Sequence, residues 1–134
     1  MSYLHPELPP ISLSHVDHER LGHLADVASD TYPQVADFLA REVARASILL
    51  PGQSAPGLVV MGSTVDYRDE TTGQTRRVTL VYPHEADVTK GRISVLTPVG
   101  AALIGLTIGQ SIEWQMPSGG WRSLTLLKVH DSAA

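Results

Sequence analysis

The residues with the clearest potential for chemistry are three histidines near the start of the chain, His15, His18 and His23. His18 and Glu19 begin like the zinc-protease motif, in which two histidines four residues apart share one face of a helix and bind the metal. His23 falls five residues after His18, so these two side chains do not share a face. His15 and His18 lie three apart and could bind a metal together, but exposed helix positions are the interpretation we favour. The sequence therefore predicts no metal site.

Other reactive patterns are incomplete. Ser63 lacks a histidine and an aspartate placed for nucleophilic catalysis. The glycine-containing turns at residues 105–109 and 118–120 are not followed by a helix whose N-terminus would bind phosphate. Aromatic residues follow strand patterns, which favours packing over base stacking: Tyr67, Tyr82, Trp114 and Trp121. We predict no catalytic residue, no cofactor and no enzyme.

The charge is unevenly distributed. Residues 1–50 hold seven acidic side chains and three arginines, and the remaining residues hold seven acidic and seven basic side chains, so the net charge of −4 belongs to the first part. Such a balance argues against sequence-specific DNA binding, which depends on clustered Lys and Arg. Cysteine is absent, and neither a signal peptide nor a membrane-spanning run is recognisable. We expect a cytoplasmic protein with no membrane partner.

The first part of the chain has helical spacing. After a Pro-rich lead-in at residues 1–13, Ser14 is placed to cap a helix, and Pro33 is suited to the first turn of a second one. Leu50, Pro51 and Gly52 are expected to stop this second helix. The pattern predicts a short antiparallel helical hairpin at residues 14–50, followed by a linker at 51–57.

The second part alternates apolar and polar residues, as half-buried strands do. Strands are predicted at residues 63–68, 75–82, 93–95, 110–115 and 121–129. Between the third and fourth strands, Thr97 and Pro98 open a short helix that Gly105 ends in a left-handed conformation. The fold class is therefore α+β, with a C-terminal domain at 58–130 and a tail at 131–134.

Five segments of this domain, in order and with matching gaps, resemble the C-terminal domain of the Gre transcript-cleavage factors: residues 61–65 (MGSTV), 69–73 (DETTG), 87–94 (DVTKGRIS), 97–105 (TPVGAALIG) and 109–120 (GQSIEWQMPSGG). The chain is more similar still to the regulator of nucleoside diphosphate kinase family. That resemblance adds residues 79–83 (TLVYP) and 98–106 (PVGAALIGL), together with the short hairpin, and covers nearly the whole chain.

The resemblance implies an FKBP-like, antiparallel β-sheet domain with one short helix, carried behind a short coiled-coil hairpin. It also implies a transcription regulator that binds bacterial RNA polymerase near the secondary channel, where it would compete with Gre factors. The implied polymerase contacts are Ser94, Leu96, Thr97 and Pro98. Leu96 stands where some Gre factors have an acid, and Thr97 and Pro98 could instead serve only to start the helix.

Gre factors carry two acids at the tip of a long coiled coil, where they help to hold a catalytic magnesium ion in the polymerase. The candidates here are Asp26 and Asp30, but the hairpin is short and the Gre acidic motif is not reproduced. We therefore expect docking without stimulated transcript cleavage. The alternative for Asp26 and Asp30 is that they are ordinary solvated turn residues.

Two other functions remain open. FKBP-like folds include prolyl isomerases, which need an aromatic-lined pocket, yet the only phenylalanine, Phe38, falls in the hairpin. Proteins that share a fold need not share an activity. The second alternative takes the family name literally, as direct action on nucleoside diphosphate kinase.

Overall fold

The computed structural model of the chain describes residues 8–53, 55–116 and 118–130. The described residues form three α-helices, seven strands and two 3-10 turns, which confirms the α+β class. The helices are α1 (His15–Ala28), α2 (Pro33–Arg45) and α3 (Pro98–Leu103). The strands are β1 (Ser12–Leu13), β2 (Ser47–Ile48), β3 (Thr64–Asp69), β4 (Thr75–Val81), β5 (Arg92–Ser94), β6 (Ser111–Gln115) and β7 (Trp121–His130).

The two long helices begin where the sequence predicts. The Ser14 hydroxyl oxygen accepts a hydrogen bond from the Asp17 backbone N–H at 3.0 Å, so Ser14 caps α1. Pro33 occupies the first turn of α2, where its missing N–H is not needed. A four-residue turn separates α1 from α2, and the two helices pack against each other. None of the helices in the described part of the chain combines the length and the apolar composition needed to cross a membrane.

The predicted end of the second helix near Leu50 is wrong. The helix ends at Arg45, because Ala46 is already extended and residues 47–48 pair in parallel with residues 12–13. The last residues of the predicted lead-in thus belong to the folded body: Ile11 and Leu13 are buried, and their carbonyl groups accept hydrogen bonds from residues 47 and 49. Ile11 and Leu13 flank the polar Ser12, an alternation typical of a strand.

The main sheet has the strand order β5-β4-β3-β7-β6. All of its neighbouring pairs are antiparallel except β4 with β5, so the expected antiparallel sheet contains one parallel pair. The predicted strands agree with the observed ones to within about two residues at each end. The polar excursion between β4 and β5 forms the two 3-10 turns, Pro83–Glu85 and Val88–Lys90.

The helices and the sheet share one hydrophobic core. Leu21 of α1 and Leu39 of α2 are fully buried in the same cluster as Leu103 of α3 and Leu126 of β7. A polar contact joins the same two parts, since the Asp17 carboxylate accepts a hydrogen bond from the Met61 backbone N–H at 3.1 Å. The pair formed by α1 and α2 therefore lies on the body of the protein.

The tightest approach in the fold is at Gly100 in α3. A Cβ atom at this position would lie 2.2 Å from the Ser94 carbonyl oxygen and 2.8 Å from the Val95 Cα. These neighbours are backbone atoms, so they have little freedom to move aside. Only glycine lets α3 pack this closely on the residues that follow β5.

We predict that Gly100→Ala lowers the free energy of unfolding by about 3 kcal/mol or more, because an inserted methyl group overpacks the core. The measurement is urea denaturation followed by circular dichroism. Gly120→Ala is the matched control, since a Cβ at Gly120 meets no atom within 4 Å and the residue has no positive φ. Equal stability of the two variants would contradict the close approach.

A buried ion pair closes the end of α2. Glu42 is only 2% exposed, and both of its carboxylate oxygens accept hydrogen bonds from Arg45, at 2.6 and 2.8 Å. Arg45 also donates to the Pro9 carbonyl oxygen, which ties the start of the described chain to α2. One turn earlier, Arg41 and Asp37 form a pair that is about two-thirds exposed.

Arg45→Met is expected to cost about 3 kcal/mol of folding free energy, because it leaves the Glu42 carboxylate buried without its partner. Arg41→Met makes the same change on the exposed pair and should cost less than about 1 kcal/mol. Chemical denaturation of both variants provides the comparison. If Arg41→Met lowered the free energy of unfolding as much as Arg45→Met, burial would not determine the cost of breaking the ion pair.

Candidate protein-interaction site

The loop at residues 94–98 leads from β5 into α3. Ser94 is buried, and its hydroxyl oxygen accepts a hydrogen bond from the Leu96 backbone N–H at 2.9 Å. The Thr97 hydroxyl donates to the Ser94 carbonyl oxygen at 2.7 Å and accepts from the Gly100 N–H at 3.1 Å. Both hydroxyl groups are thus engaged within the loop, and Thr97 is the N-cap of α3.

The four predicted contact residues differ in exposure. Pro98 is exposed, Leu96 and Thr97 are half-buried, and Ser94 is buried. The side chain of Leu96 also packs against the core. A partner approaching this loop would therefore meet Pro98 first, with Leu96 and Thr97 beside it, while Ser94 would act by shaping the loop.

Pro98 also lines a groove that the sequence did not reveal. The groove has a volume of about 920 Å³ and lies between α2 and β6, and we call it the α2–β6 groove. Its apolar walls are formed mainly by Tyr32, Phe38, Pro98, Trp114, Met116 and Trp121. The Phe38 and Trp114 rings pack at 6.4 Å between centroids, with 30° between their planes.

Phe38 lies on α2, within the predicted hairpin, and it also contributes to the aromatic lining of this groove. Phe38 is half-buried on α2 and faces the sheet because α2 packs on the body of the protein. Val35, Phe38 and Leu39 follow helical spacing, which indicates an apolar helix face but not which surface covers it. Trp114 and Trp121 were a further sequence signal for an apolar groove. They lie at the end of β6 and the start of β7, so they bring large apolar area to one end of the sheet.

The structure places Asp26 and Asp30 on the surface, at the end of α1 and in the turn that follows. No side-chain hydrogen bond or ion pair of either carboxylate is found among the described residues, and no group of three or more His, Asp or Glu there could hold a metal ion. The histidines of the rejected zinc pattern likewise form no such cluster in that part of the chain. With 14 residues at about 1.5 Å each, α1 is only about 21 Å long.

Charged side chains on the sheet form ion pairs, two of them across strands and one within a single segment. Arg77 donates to both carboxylate oxygens of Asp66, at 2.8 and 3.2 Å, and these bonds hold the pKa of Asp66 below its ordinary value. Arg68 pairs with Glu70, and Arg122 pairs with Asp69 at 2.6 Å. These three arginines are therefore engaged with carboxylates, which reduces their availability for phosphate groups.

Comparisons with known proteins agree with this architecture. The family described as "Transcription elongation factor, GreA/GreB, C-term" matches residues 53–131, and the family described as "Rnk N-terminus" matches residues 9–49. The Regulator of nucleoside diphosphate kinase of Escherichia coli K12 is 36% identical over 121 residues, which cover 90% of this chain and 89% of that protein.

Transcription elongation factors are also similar to this chain. Transcription elongation factor GreA of Syntrophobacter fumaroxidans is 38% identical over 93 residues, covering 69% of this chain but only 59% of that protein. Among solved structures, a transcription elongation factor GreA/GreB from Nitrosomonas europaea superposes with a TM-score of 0.68 and 39% identity, covering 89% of this chain and 98% of that one.

Both segments of the family architecture are thus present in order over nearly the whole length, and the chain belongs to the regulator of nucleoside diphosphate kinase family, with an Rnk N-terminus joined to a GreA/GreB-type C-terminal domain.

Proposed function

We propose that this protein is a non-enzymatic transcription regulator that docks on bacterial RNA polymerase near the secondary channel and competes there with Gre factors. The observation that carries this proposal is the GreA/GreB-type domain at residues 53–131. The loop at its α3 entrance presents Pro98, with Leu96 and Thr97 beside it, on the surface. Such a role belongs in the cytoplasm, where the polymerase is found.

The α1–α2 pair supports docking without transcript cleavage. Its helices have 14 and 13 residues, and the core holds them against the sheet. A tip about 21 Å from the start of α1 is too close to the body to deliver Asp26 and Asp30 deep into an enzyme channel. Within this proposal these two acids are solvated residues of the turn region, with no part in holding magnesium.

We also make two proposals about the fold itself. We infer that the C-terminal domain is FKBP-like, because a mostly antiparallel five-stranded sheet packs on one short helix. We also infer that α1 and α2 form a short antiparallel coiled coil, because a tight turn joins them and they pack against each other.

Direct action on nucleoside diphosphate kinase is the second candidate. It rests on the name of the Escherichia coli relative, which is similar over 90% of this chain. Adding the purified protein to purified kinase and measuring nucleoside triphosphate formation separates this effect from one that passes through transcription.

Prolyl isomerase activity is a third possibility, favoured by the aromatic lining of the α2–β6 groove. Isomerases of the FKBP-like fold need such a surface, although an aromatic groove alone does not establish catalysis. Isomerisation of a proline peptide, measured with and without the protein, tests it.

Competition for polymerase tests the docking proposal. We expect the protein to displace a labelled Gre factor from immobilised core polymerase in a saturable manner, because both would use a GreA/GreB-type domain. Leu96→Arg should weaken displacement about tenfold, equivalent to about 1.4 kcal/mol, by placing a charge on the docking loop.

Thr72→Arg is the matched control for that substitution. Thr72 is exposed in the β3–β4 loop, at the opposite end of β4 from residues 94–98, so the same charge there should leave displacement unchanged. Because Leu96 is half-buried, thermal unfolding of both variants checks that the Leu96→Arg protein still folds. Absence of displacement and of any polymerase binding by the unaltered protein would refute docking.

The limited reach of the α1–α2 tip is tested by transcript cleavage. With a backtracked polymerase, saturating amounts of the protein should leave the rate of transcript cleavage at its intrinsic value, whereas a Gre factor accelerates it. Asp26→Asn and Asp30→Asn should behave like the unaltered protein in both binding and cleavage. Faster cleavage that either substitution abolishes would assign the tip acids to magnesium.

A further inference from the structure

The α2–β6 groove runs along the edge of the sheet. Four consecutive residues of the β6 segment line it, namely residues 113–116. Side chains alternate between the two faces of a strand, so a cavity on one face would be lined by every second residue. Lining by consecutive residues means that the groove follows the strand edge, where backbone groups are accessible from the side.

The hydrogen-bond pattern shows which backbone groups lie at this edge. The Met116 N–H donates to the Gly120 carbonyl oxygen, and the Leu126 N–H donates to the Gln110 carbonyl oxygen, so the even-numbered residues of this segment bond towards β7. By the alternation of an antiparallel pair, Ser111, Glu113 and Gln115 direct their N–H and C=O groups away from β7. Within the described residues β6 is the last strand on this side of the sheet.

Charge around the groove is not balanced. On the α2 wall, Asp37 pairs with Arg41 and Glu42 pairs with Arg45. On the β6 wall, Glu113 is half-buried and has neither an ion pair nor a hydrogen bond to its carboxylate among the described residues. As far as the described residues go, the groove therefore carries one uncompensated acid beside a strand edge that has no partner strand.

An unpartnered donor lies in the same wall. Trp114 is 9% exposed, and its indole N–H has no acceptor within the described parts of the chain. Most buried polar groups in folded proteins have a partner. The indole nitrogen itself has almost no accessible surface, so it is not one of the groups that a bound segment would contact.

We propose that the α2–β6 groove binds an extended segment of a partner protein, which adds to β6 as a further strand and alternates apolar with basic side chains. Its backbone would bond to Ser111, Glu113 and Gln115. Its apolar side chains would lie on the Trp114 face, beside Phe38 and Met116, and its basic side chains on the Glu113 face. This proposal does not rest on polymerase docking.

The acid also distinguishes this partner from a second copy of the chain. If two β6 edges paired antiparallel about a two-fold axis centred on the strand, each Glu113 would lie beside the Glu113 of the other copy. Like charges placed opposite each other across strands are destabilising. A basic side chain at the same place is favourable, so charge complementarity selects the basic partner.

The test measures binding of short fluorescent peptides to the full chain by anisotropy. The probe is the blocked heptapeptide TVKVKVT, in which valines share one face and lysines the other, and the matched acidic peptide is TVEVEVT. We expect saturable binding of the basic peptide and at least tenfold weaker binding of the acidic one. Amide shifts of Ser111, Glu113 and Gln115 in NMR spectra should change on binding, because these groups would form the new hydrogen bonds.

Two further peptides test strand addition itself, one N-methylated at both lysines and one at the three valines. Only every second N–H of an added strand faces β6, so methylation should abolish binding in one peptide and spare it in the other. For antiparallel addition the lysine-methylated peptide is the one that loses binding. Equal binding of both methylated peptides would refute strand addition.

Glu113→Gln should reduce the preference for the basic over the acidic peptide at least fivefold. Glu85 is an exposed acid on a 3-10 turn, and Glu85→Gln should leave this preference unchanged. A Kd above about 1 mM for the basic peptide would overturn the proposal. So would dimerisation of the free protein that Glu113→Gln strengthens, since this result would assign the edge to a second copy.

Discussion

The burial of residues 100–106, which form most of α3 and the segment after it, is the constraint on which the rest of the structure depends. These seven residues are all buried, and the helix reaches solvent only at its first turn, where Pro98 is exposed. One side of this segment lies against the loop after β5, where Gly100 brings two backbones together. Because α2 also packs on α3, the position of α3 fixes both the loop at residues 94–98 and one wall of the α2–β6 groove.

Much of the fold was predictable from local rules. Ser14, Pro33 and Thr97 mark helix starts through hydrogen bonds or backbone geometry that involve only nearby residues. Strand alternation located β3, β4, β6 and β7 for the same reason. The pairing of β1 with β2 was not predictable, because each strand has two residues and their partners lie 35 positions apart. Two-residue strands carry almost no periodic signal, and this pairing is what ends α2 early.

The candidate site was predictable only in part, and for a different reason. The resemblance to Gre factors implied contacts at Ser94, Leu96, Thr97 and Pro98, which stay a prediction. The sequence could not separate a polymerase contact from a helix cap, since the Ser94 and Thr97 hydroxyl groups also bond within the loop. The groove was missed because Phe38 and Trp114 are far apart in sequence, and their contact depends on where α2 packs. An apolar helix face indicates that it will be buried, but it does not indicate which surface will cover it.

The shortness of α1 and α2 explains why they lie on the body of the protein. Isolated helices of fewer than about 12 to 15 residues are marginally stable in water, and two such helices have few turns with which to bury each other's apolar faces. Burying a leucine contributes about 1.5–3 kcal/mol, and both Leu21 and Leu39 are buried fully in the core shared with the sheet. A longer helical pair could bury such residues between its own helices and extend into solvent. Here stability requires contact with the sheet, so the requirement that keeps the helices folded also limits how far their tip can reach.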